Sequence, residues 1–356
     1  MKLKAKALLD ILSVPCRVAG KRTTLPALNC ILFGTSAGQL IATATDLDVW
    51  VERRMPVPNP SETLPYVCVN AQRLLNCIRS ASGQISIDLK GRKLIVSGKG
   101  WTQSLGVLGE KEFQQRPAGM EVTCFTIDPV DLADAISTVA WCVDHDLAAK
   151  PWGRTVMVKA SENSIRAEAF KRVLYTSYTR AAKCEPCEFM VPGAQASLLC
   201  EAMLVADAKV NCSDKRLTVS NATGLVSALL PEDQWPDSDK ITKSKAHPCG
   251  SVDSMALCDA LRRITSIHSD DKVAKVNAEV ADALRIHSQT QVDSCDETVA
   301  LDNSPGGAQV FMCNAFLWLQ AMERFEAGPV ELRVNDVQLF MEQGTKTTIL
   351  SLMKNL

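Results

Sequence analysis

Apolar and polar residues follow one pattern that occurs three times along this chain. Each occurrence begins with a short apolar run, continues into a helical stretch and ends in two alternating segments joined at a turn. The helical stretches begin at Ala71, Ala194 and Ala315, so the spacings are 123 and 121 residues, close to a third of the 356-residue chain. Solenoid repeats are far shorter, at about 20–50 residues. The pattern therefore predicts three copies of one domain.

The first half of each third repeats the same order of elements. Helical periodicity predicts helices over residues 7–18, 129–141 and 253–264, with Asp128 as the N-cap of the second. Alternating segments after each helix predict three strands. Each domain thus holds two strand-helix-three-strand units. The predicted class is α+β, with antiparallel sheets each covered on one face by a pair of helices. Breaks near residues 113–119 and 237–248 place the domains at 1–118, 119–242 and 243–356.

Composition narrows the class of protein. Apolar residues make up 46% of the chain and charged residues 22%, which is ordinary for a globular protein. The 39 basic residues against 40 acidic ones argue against binding nucleic acid through bulk charge, although a local basic stripe remains open. No apolar run approaches about 18 residues, and no signal peptide follows Met1. We therefore expect a cytoplasmic protein.

The residues that usually carry catalysis are scarce. The fourteen cysteines lie singly in apolar segments except Cys184 and Cys187, which lack the second pair or histidines of a zinc site, so we expect no metal and no cofactor. The chain has four histidines and no phosphate-binding loop or nucleophile elbow. The Asp144–Asp146 run is interpreted as a solvated loop. Asp46 and Asp48 are expected on one face of a strand, without a third partner. We expect no enzyme activity.

Several short motifs, in order along the repeat, resemble one known family. They are Thr24-Leu25-Pro26-Ala27-Leu28, Thr45-Asp46-Leu47, Trp235-Pro236-Asp237 and the apolar C-terminal run 350–356. Together with the threefold repeat they resemble the bacterial DNA polymerase III β subunit, the sliding clamp, over essentially the whole chain. The resemblance implies a head-to-tail homodimer that closes into a ring, with helices lining the hole and sheets outside.

The resemblance also implies a sequence-independent contact with duplex DNA. The expected DNA-facing residues are basic positions, most of them assigned to helices: Arg22, Arg73, Arg79, Lys209, Arg262 and Arg263. Such residues would contact phosphates without reading bases. Taken singly, each also fits an ordinary solvated surface. The second domain's first helix carries Asp131 and Asp134 instead, so the lining is uneven.

Clamps recruit a polymerase and a clamp loader through a short peptide bound in an apolar pocket. The positions that match this pocket are Phe170, Leu174, Pro236, Lys240, Ile241, Asn314, Phe316, Leu350 and Leu352. Leu350 and Leu352 should alternate onto one face of the C-terminal strand and form the floor. The stretch 169–174 departs from the family's usual sequence, so we expect an altered pocket. Phe170 and Leu174 have an alternative interpretation as sheet core.

The dimer contact is expected between the outer strand of the first domain and the third domain. The matching positions are Trp101, Leu105, Leu108, Ser266 and Ile267. The implied function is a processivity factor that encircles DNA and tethers a replicative polymerase. The alternative is a clamp-fold scaffold or decoy that binds replication partners without encircling DNA.

Overall fold

The computed structural model describes residues 1–20, 25–117, 127–146, 148–213, 215–304, 306 and 308–353. These residues form two compact units. Unit 1 comprises Met1–Ala133 and Ser197–Leu230, and unit 2 comprises Asp134–Ala196 and Pro231–Leu356. Within the described ranges, no helix is long and apolar enough to cross a membrane. Arg22, one of the expected DNA contacts, lies outside the described residues.

The α-helices of the described residues are short, and all except α1 and α2 are separated from one another by strands. They are α1 (Ala5–Ser13), α2 (Pro15–Val18), α3 (Ala71–Arg79), α4 (Pro129–Val139), α5 (Gly193–Met203), α6 (Asp239–Thr242), α7 (Ser254–Ser266) and α8 (Ala315–Met322).

The strands occur in runs of three or four. Those of the first 120 residues are β1 (Lys2–Lys4), β2 (Cys30–Ser36), β3 (Gln39–Thr45), β4 (Val49–Pro56), β5 (Val67–Asn70), β6 (Gln84–Lys90), β7 (Lys93–Gly98) and β8 (Trp101–Gly109). The middle third carries β9 (Thr155–Ser161), β10 (Ser164–Lys171), β11 (Leu174–Ala181), β12 (Cys187–Pro192), β13 (Lys209–Cys212), β14 (Arg216–Asn221) and β15 (Gly224–Leu229). The last third carries β16 (His247–Asp253), β17 (Lys275–Val280), β18 (Ala283–Gln289), β19 (Ser294–Ala300), β20 (Gln309–Asn314), β21 (Pro329–Val334), β22 (Gln338–Gln343) and β23 (Lys346–Ser351).

This order confirms the predicted strand-helix-three-strand unit. The run β5, α3, β6, β7, β8 has the same order as β12, α5, β13, β14, β15 and as β20, α8, β21, β22, β23. Helix starts follow from capping, because a side-chain oxygen accepts one of the unpaired N–H groups of the first turn. Asn70 accepts from Arg73 at 3.0 Å, Asp253 from Ala256 at 2.9 Å, and the predicted cap Asp128 from Asp131 at 3.0 Å.

Unit 1 contains one antiparallel sheet, with the described strands in the order β1-β6-β7-β8-β5-β2-β3-β4-β15-β14-β13. Helices α1 and α3 pack over one face of this sheet. Leu8, Leu12, Leu74 and Ile78 are at most 1% exposed and share a core with Phe33 and other strand residues. The polar positions of α3, such as Arg73 and Arg79, stay exposed. The helical period of the sequence therefore predicts which face is buried.

Unit 2 contains two antiparallel sheets among its described residues. The strand orders are β12-β9-β10-β11-β23-β22-β21-β16 and β19-β18-β17-β20. In the first of these sheets, β11 pairs with β23 and places Leu174 opposite Leu350. The C-terminal strand is thereby joined to residues almost 180 positions earlier. This pairing positions the candidate site.

Several sequence-based expectations about individual elements need correction. The helix expected over residues 7–18 is divided at Val14, because Pro15 has no N–H to donate to a carbonyl of the preceding turn. Asp46 and Asp48 lie in a tight turn between β3 and β4, where Asp46 accepts from the Val49 N–H at 2.7 Å, and not within a strand. Lys209 begins β13 and is not helical. The 237–248 linker contains α6 and the start of β16.

Candidate functional site

A row of large apolar side chains crosses four neighbouring strands of unit 2. The strand register places Phe170 opposite Tyr175, Tyr175 opposite Ile349, and Ile349 opposite Phe340. Residues directly opposite each other in antiparallel strands project to the same face of the sheet. These four side chains are at most 8% exposed. They pack with Trp152, Trp235, Ile241 and Ala246, and we call these eight residues the aromatic cluster.

Phe170 lies at the centre of the aromatic cluster. Its ring centroid is 4.8 Å from that of Tyr175, 5.4 Å from that of Trp152 and 5.4 Å from that of Trp235. The Trp152 pair is edge-to-face, a geometry that aromatic quadrupoles favour. Trp235 and Ile241 belong to residues 231–246, which we call the connecting segment. The cluster therefore packs the connecting segment onto the sheet.

A buried carboxylate fixes the connecting segment in place. Glu168 lies on β10, two residues before Phe170, and is 0% exposed. Its Oε2 accepts hydrogen bonds from Trp235 Nε1 at 3.0 Å and from Ser238 Oγ at 2.8 Å. The charge is compensated by Arg166, whose Nε lies 2.7 Å from Oε1, and by Lys159 at 3.4 Å. A buried carboxylate needs such partners, so Glu168 ties the connecting segment to the sheet.

A cavity of about 400 Å³ lies beside the end of the C-terminal strand. Leu352 lines it together with residues of β20, of the end of β21 and of the turn before β22, among them Met312 and Val334. Backbone bonds hold the last described residues there. The Leu352 N–H donates to the Val337 carbonyl at 2.8 Å, and the Met353 N–H donates to the Met312 carbonyl at 2.8 Å. The cavity thus has a mainly polar lining, to which Leu352 contributes one of the apolar side chains.

The predicted pocket residues fall into separate places. Phe170 and Ile241 belong to the aromatic cluster, and Leu352 lines the cavity. Asn314 caps α8 by accepting from the Phe316 N–H at 3.1 Å, and both side chains are half-buried. In the connecting segment, Pro236 is half-buried and Lys240 is exposed. Lys240 Nζ lies 3.4 Å from Asp237 Oδ2.

Leu174 and Leu350 differ from the expectation of an open pocket wall and floor. They are 1% and 0% exposed and stand opposite each other in the sheet. Their row is adjacent to the row of Tyr175 and Ile349, and successive side chains of a strand project to opposite faces. Leu174 therefore lies in sheet core, as the alternative interpretation proposed, and Leu350 offers no surface to a ligand. Phe170 is buried as well, at 8%.

Sequence reasoning missed several members of this site. Trp152, Tyr175, Phe340 and Glu168 were not expected there, although each contacts or anchors residues that were. Aromatic residues make up only 5% of the chain, so the gathering of five of them is unusual. They are spread over residues 152–340 and meet only in the folded chain, three of them on paired strands and Trp152 and Trp235 on segments between strands. Trp235 is the residue that could have indicated this site from the sequence, because the N–H of a buried indole needs an acceptor nearby.

The basic residues expected to face DNA differ in whether a carboxylate neutralises their charge. Arg73 and Arg79 are exposed on α3, and Lys209 is exposed on β13. Arg262 pairs with Asp259 at 3.0 Å and with Glu323 at 2.9 Å. Arg263 forms a two-pronged pair with Glu297, at 2.6 and 2.7 Å, and its guanidinium lowers the pKa of that carboxyl. The α7 arginines are therefore largely compensated by carboxylates.

The expected dimer residues of β8 point mainly inward. Leu105 is 6% exposed and belongs to the core under α1 and α3, against which Trp101 also packs. Leu108 packs beside Trp50 and Phe113. Between residues 101 and 106, β8 pairs with β7 alone among the described strands, so its other backbone edge is open there. The apolar side chains of β8 therefore pack into the core, whereas the backbone edge of the strand is available for association.

The third-domain residues expected at the dimer contact end α7. Ser266 is the last helical residue and is exposed, and Ile267 follows as the C-cap and is half-buried. His268 behind them is 4% exposed and bonded to Asp271 and Ser288, each at 2.7 Å. The turn that presents Ile267 is therefore anchored from beneath.

The residues considered for catalysis or metal binding do not assemble a centre. No group of three or more potential metal ligands occurs within the described residues. Asp144–Asp146 forms a loop, as expected, although Asp144 is 7% exposed and lies 3.4 Å from Arg172. Cys184 and Cys187 are half-buried, and burial raises the pKa of the Cys187 thiol to about 12. A thiol with that pKa is a poor ligand or nucleophile at neutral pH.

Two comparisons of the sequence find similarity to the same kind of protein. The model of one family, the DNA polymerase III beta subunit, N-terminal domain, matches residues 1–116. A beta sliding clamp of Pseudomonas putida is 21% identical over 311 residues, which cover 84% of this chain and 83% of the relative.

Solved structures share the fold over almost the whole chain. The DNA polymerase III beta subunit of Pseudomonas aeruginosa bound to griselimycin has a TM-score of 0.90 at 18% identity, with 100% of this chain and 99% of that chain covered. The sliding clamp of Bacillus subtilis gives 0.90 at 14% identity, with the same coverage. The Helicobacter pylori beta clamp bound to a DNA ligase peptide gives 0.87 at 12% identity, with 99% of each chain covered.

Proposed function

We propose that this chain, a divergent member of the DNA polymerase III beta-subunit family, is a sliding clamp that encircles duplex DNA and tethers a replicative polymerase. Members of this family are accessory, non-catalytic subunits, so the chain is not an enzyme. The observation that carries the proposal is the full-length match of fold, at a TM-score of 0.90 to clamps of two distant bacteria. Loading onto circular DNA, followed by release when the DNA is linearised, tests it directly.

We propose further that two chains form the ring head to tail, each with three domains at about 1–118, 119–242 and 243–356. One end would present the open edge of β8, and the other the turn carrying Ser266 and Ile267. Two unlike ends on one chain can close a symmetric dimer. Closure would hold DNA topologically, which suits a chain whose formal net charge is only −1.

DNA binding without a loader should be weak and salt-sensitive. Arg73 and Arg79, which are exposed and have no carboxylate partner among the described residues, would contact phosphates, whereas carboxylates already compensate Arg262 and Arg263. We expect the logarithm of the binding constant to fall with the logarithm of salt concentration at a slope of about −2 to −4, as for two to four phosphate contacts.

This slope can be measured by fluorescence anisotropy with an open duplex. Replacing Arg73 and Arg79 together by glutamine should make the slope less steep by about 2. The control Lys93→Gln, at an exposed position on β7, should leave the slope unchanged. A tight site with a preferred base sequence would contradict non-specific encirclement.

Partner recruitment should depend on the cavity beside the C-terminus. Leu352 is half-buried there and would contact an apolar anchor of a partner peptide, worth about 1.5–3 kcal/mol when fully buried. Leu352→Asp places a charge in that cavity and should reduce capture of the host's replicative polymerase in a pull-down by at least about tenfold.

The matched control for this test is the adjacent residue. Ser351 is exposed, so Ser351→Asp adds the same charge outside the cavity and should leave capture unchanged. Equal loss in both variants, or loss in neither, would place the peptide site elsewhere.

The second candidate function is a scaffold or decoy that binds replication partners without encircling DNA. The ion pairs of Arg262 and Arg263 favour it, because they remove charge from the expected DNA-facing surface. Solution mass separates the two. A stable monomer that still captures the polymerase supports the scaffold, and a dimer supports the ring.

A further inference from the structure

A second cavity in unit 2, of about 440 Å³, is lined by none of the residues discussed above as pocket or dimer positions. Its walls come from α4, from β11, from the residues after α8 and from the hairpin between β22 and β23. Arg324 and Lys346 both line it, and Trp141 forms part of its wall. A polar cavity with two cations is the kind of place where an anion binds.

The two cations lie close together without acidic partners. Lys346 Nζ donates to the Arg324 carbonyl and lies 5.1 Å from the centroid of the Phe325 ring. The Arg324 guanidinium carbon lies 5.6 Å from the centroid of Trp141. Among the described residues, no carboxylate is within 4.0 Å of either charged group. Burial, together with the nearby charge of Arg324, lowers the pKa of Lys346 to about 8.

The acidic residues that face this cavity do not cancel these charges. Asp134 on α4 is already bonded to Arg180, at 2.7 Å, and to the Tyr178 hydroxyl, at 3.0 Å. Glu326 is exposed. Its negative charge raises the pKa of Lys346, but this effect is smaller than the lowering caused by burial and by Arg324. A net positive charge therefore remains at the mouth formed by Arg324 and Lys346.

A second observation about this cavity, separate from its two cations, concerns the side chain of Trp141. Its Nε1 is buried and has no acceptor among the described residues. A buried N–H without an acceptor is costly, and native structures usually satisfy it. A ligand with several acceptor oxygens would pair with the two cations at once, beside the Trp141 ring that forms part of the wall.

We propose that this cavity binds a phosphate group, with Arg324 and Lys346 as its cationic ligands and Trp141 in its wall. Arginine suits a tetrahedral oxyanion because its guanidinium offers paired donors, and lysine adds a point charge. The phosphate could belong to a nucleic-acid backbone or to a small phosphate ester, since both present the same oxygens. The site does not require ring closure, so its test is separate from that of the clamp.

The test uses the full-length protein and measures binding by calorimetry at constant ionic strength. Sulfate serves as the probe for pH dependence because its charge does not change near neutrality. Arg324→Gln and Lys346→Gln should each weaken sulfate and pyrophosphate binding by about tenfold, as expected for loss of one charge-assisted contact. Lys346→Arg should retain most of the affinity. Lys275→Gln, an exposed position on β17, should change nothing.

The pH dependence has a definite sign. A bound anion favours the charged lysine, so binding takes up a proton near the free protein's Lys346 pKa of about 8. Sulfate should therefore bind about tenfold more tightly at about pH 7 than at about pH 9.5, where most of the lysine is neutral. Lys346→Gln should abolish this difference, whereas Lys275→Gln should keep it.

Two further arms identify the source of the phosphate. Competition of sulfate by a short duplex oligonucleotide, lost in Arg324→Gln, assigns the site to a nucleic-acid backbone. Competition by pyrophosphate but not by the duplex assigns it to a small phosphate ester. The proposal is overturned if neither sulfate nor pyrophosphate binds saturably, or if Arg324→Gln and Lys346→Gln both bind like the wild type.

Discussion

Replacing Glu168 with alanine should lower the free energy of unfolding by about 3 kcal/mol and release the connecting segment. The substitution leaves the Trp235 and Ser238 donors without their acceptor. It also removes the carboxylate that pairs with Arg166 and Lys159. The effect should be smaller than for a fully buried ion pair, because Arg166 and Lys159 are about one-third exposed. Urea titration gives the change in stability.

Hydrogen exchange shows whether that loss is local. Amides of residues 231–246 should exchange faster in Glu168→Ala, and faster than those of β14 in unit 1. Glu168→Gln keeps an acceptor oxygen for Trp235 and Ser238, so it should preserve most of the protection while losing the ion pairs. The control Glu331→Ala, exposed on β21 of the same sheet, should stay within about 0.5 kcal/mol of the wild type. Unchanged protection of the connecting segment in Glu168→Ala would show that the aromatic cluster alone holds it.

Ile267→Lys should convert the proposed dimer into monomers. Ile267 is half-buried at the end of α7, on a turn anchored through His268, so its side chain cannot easily withdraw. A lysine there would bury an unpaired charge in the contact and raise the dissociation constant by at least about a hundredfold. Sedimentation velocity at a fixed protein concentration measures the shift.

Met255→Lys is the matched control for the dimer test. Met255 lies in the first turn of the same helix and is 53% exposed, so the same new charge should leave the dimer intact. A dimer that survives Ile267→Lys would place the interface elsewhere. A wild-type protein that is already monomeric would instead count against the ring itself.

Local signals in the sequence are enough to predict the repeated unit. Helix α3 follows from apolar residues at helical spacing and from the N-cap Asn70, both of which act within one turn. Strands such as β6 follow from alternation, since Ile85 and Ile87 are 1% exposed and their neighbours face outward. The break at Pro15 was also encoded locally, and it was missed because apolar periodicity continues across it.

The candidate site was predicted only in part, because its residues meet through pairing between distant strands. Leu350 was correctly assigned to the C-terminal strand, whereas Leu352 lies just after the strand ends at Ser351, and the sequence does not show that Leu350 stands opposite Leu174 inside the sheet. A shift of register by one residue would have exchanged the sheet faces to which Ile349 and Leu350 project. The same holds for Arg263, whose partner Glu297 lies 34 residues away.

The sequence by itself determined the threefold period, the α+β class and the alternation of each strand, since these depend on neighbours within a few residues. Tertiary structure alone decided that Phe170, Tyr175, Ile349 and Phe340 share one face, and that Glu168 receives Trp235 and Ser238. The physical reason is that a buried charge or ring is stabilised by whatever groups surround it in space. Those groups come from segments up to almost 200 residues apart, and no local pattern specifies their pairing.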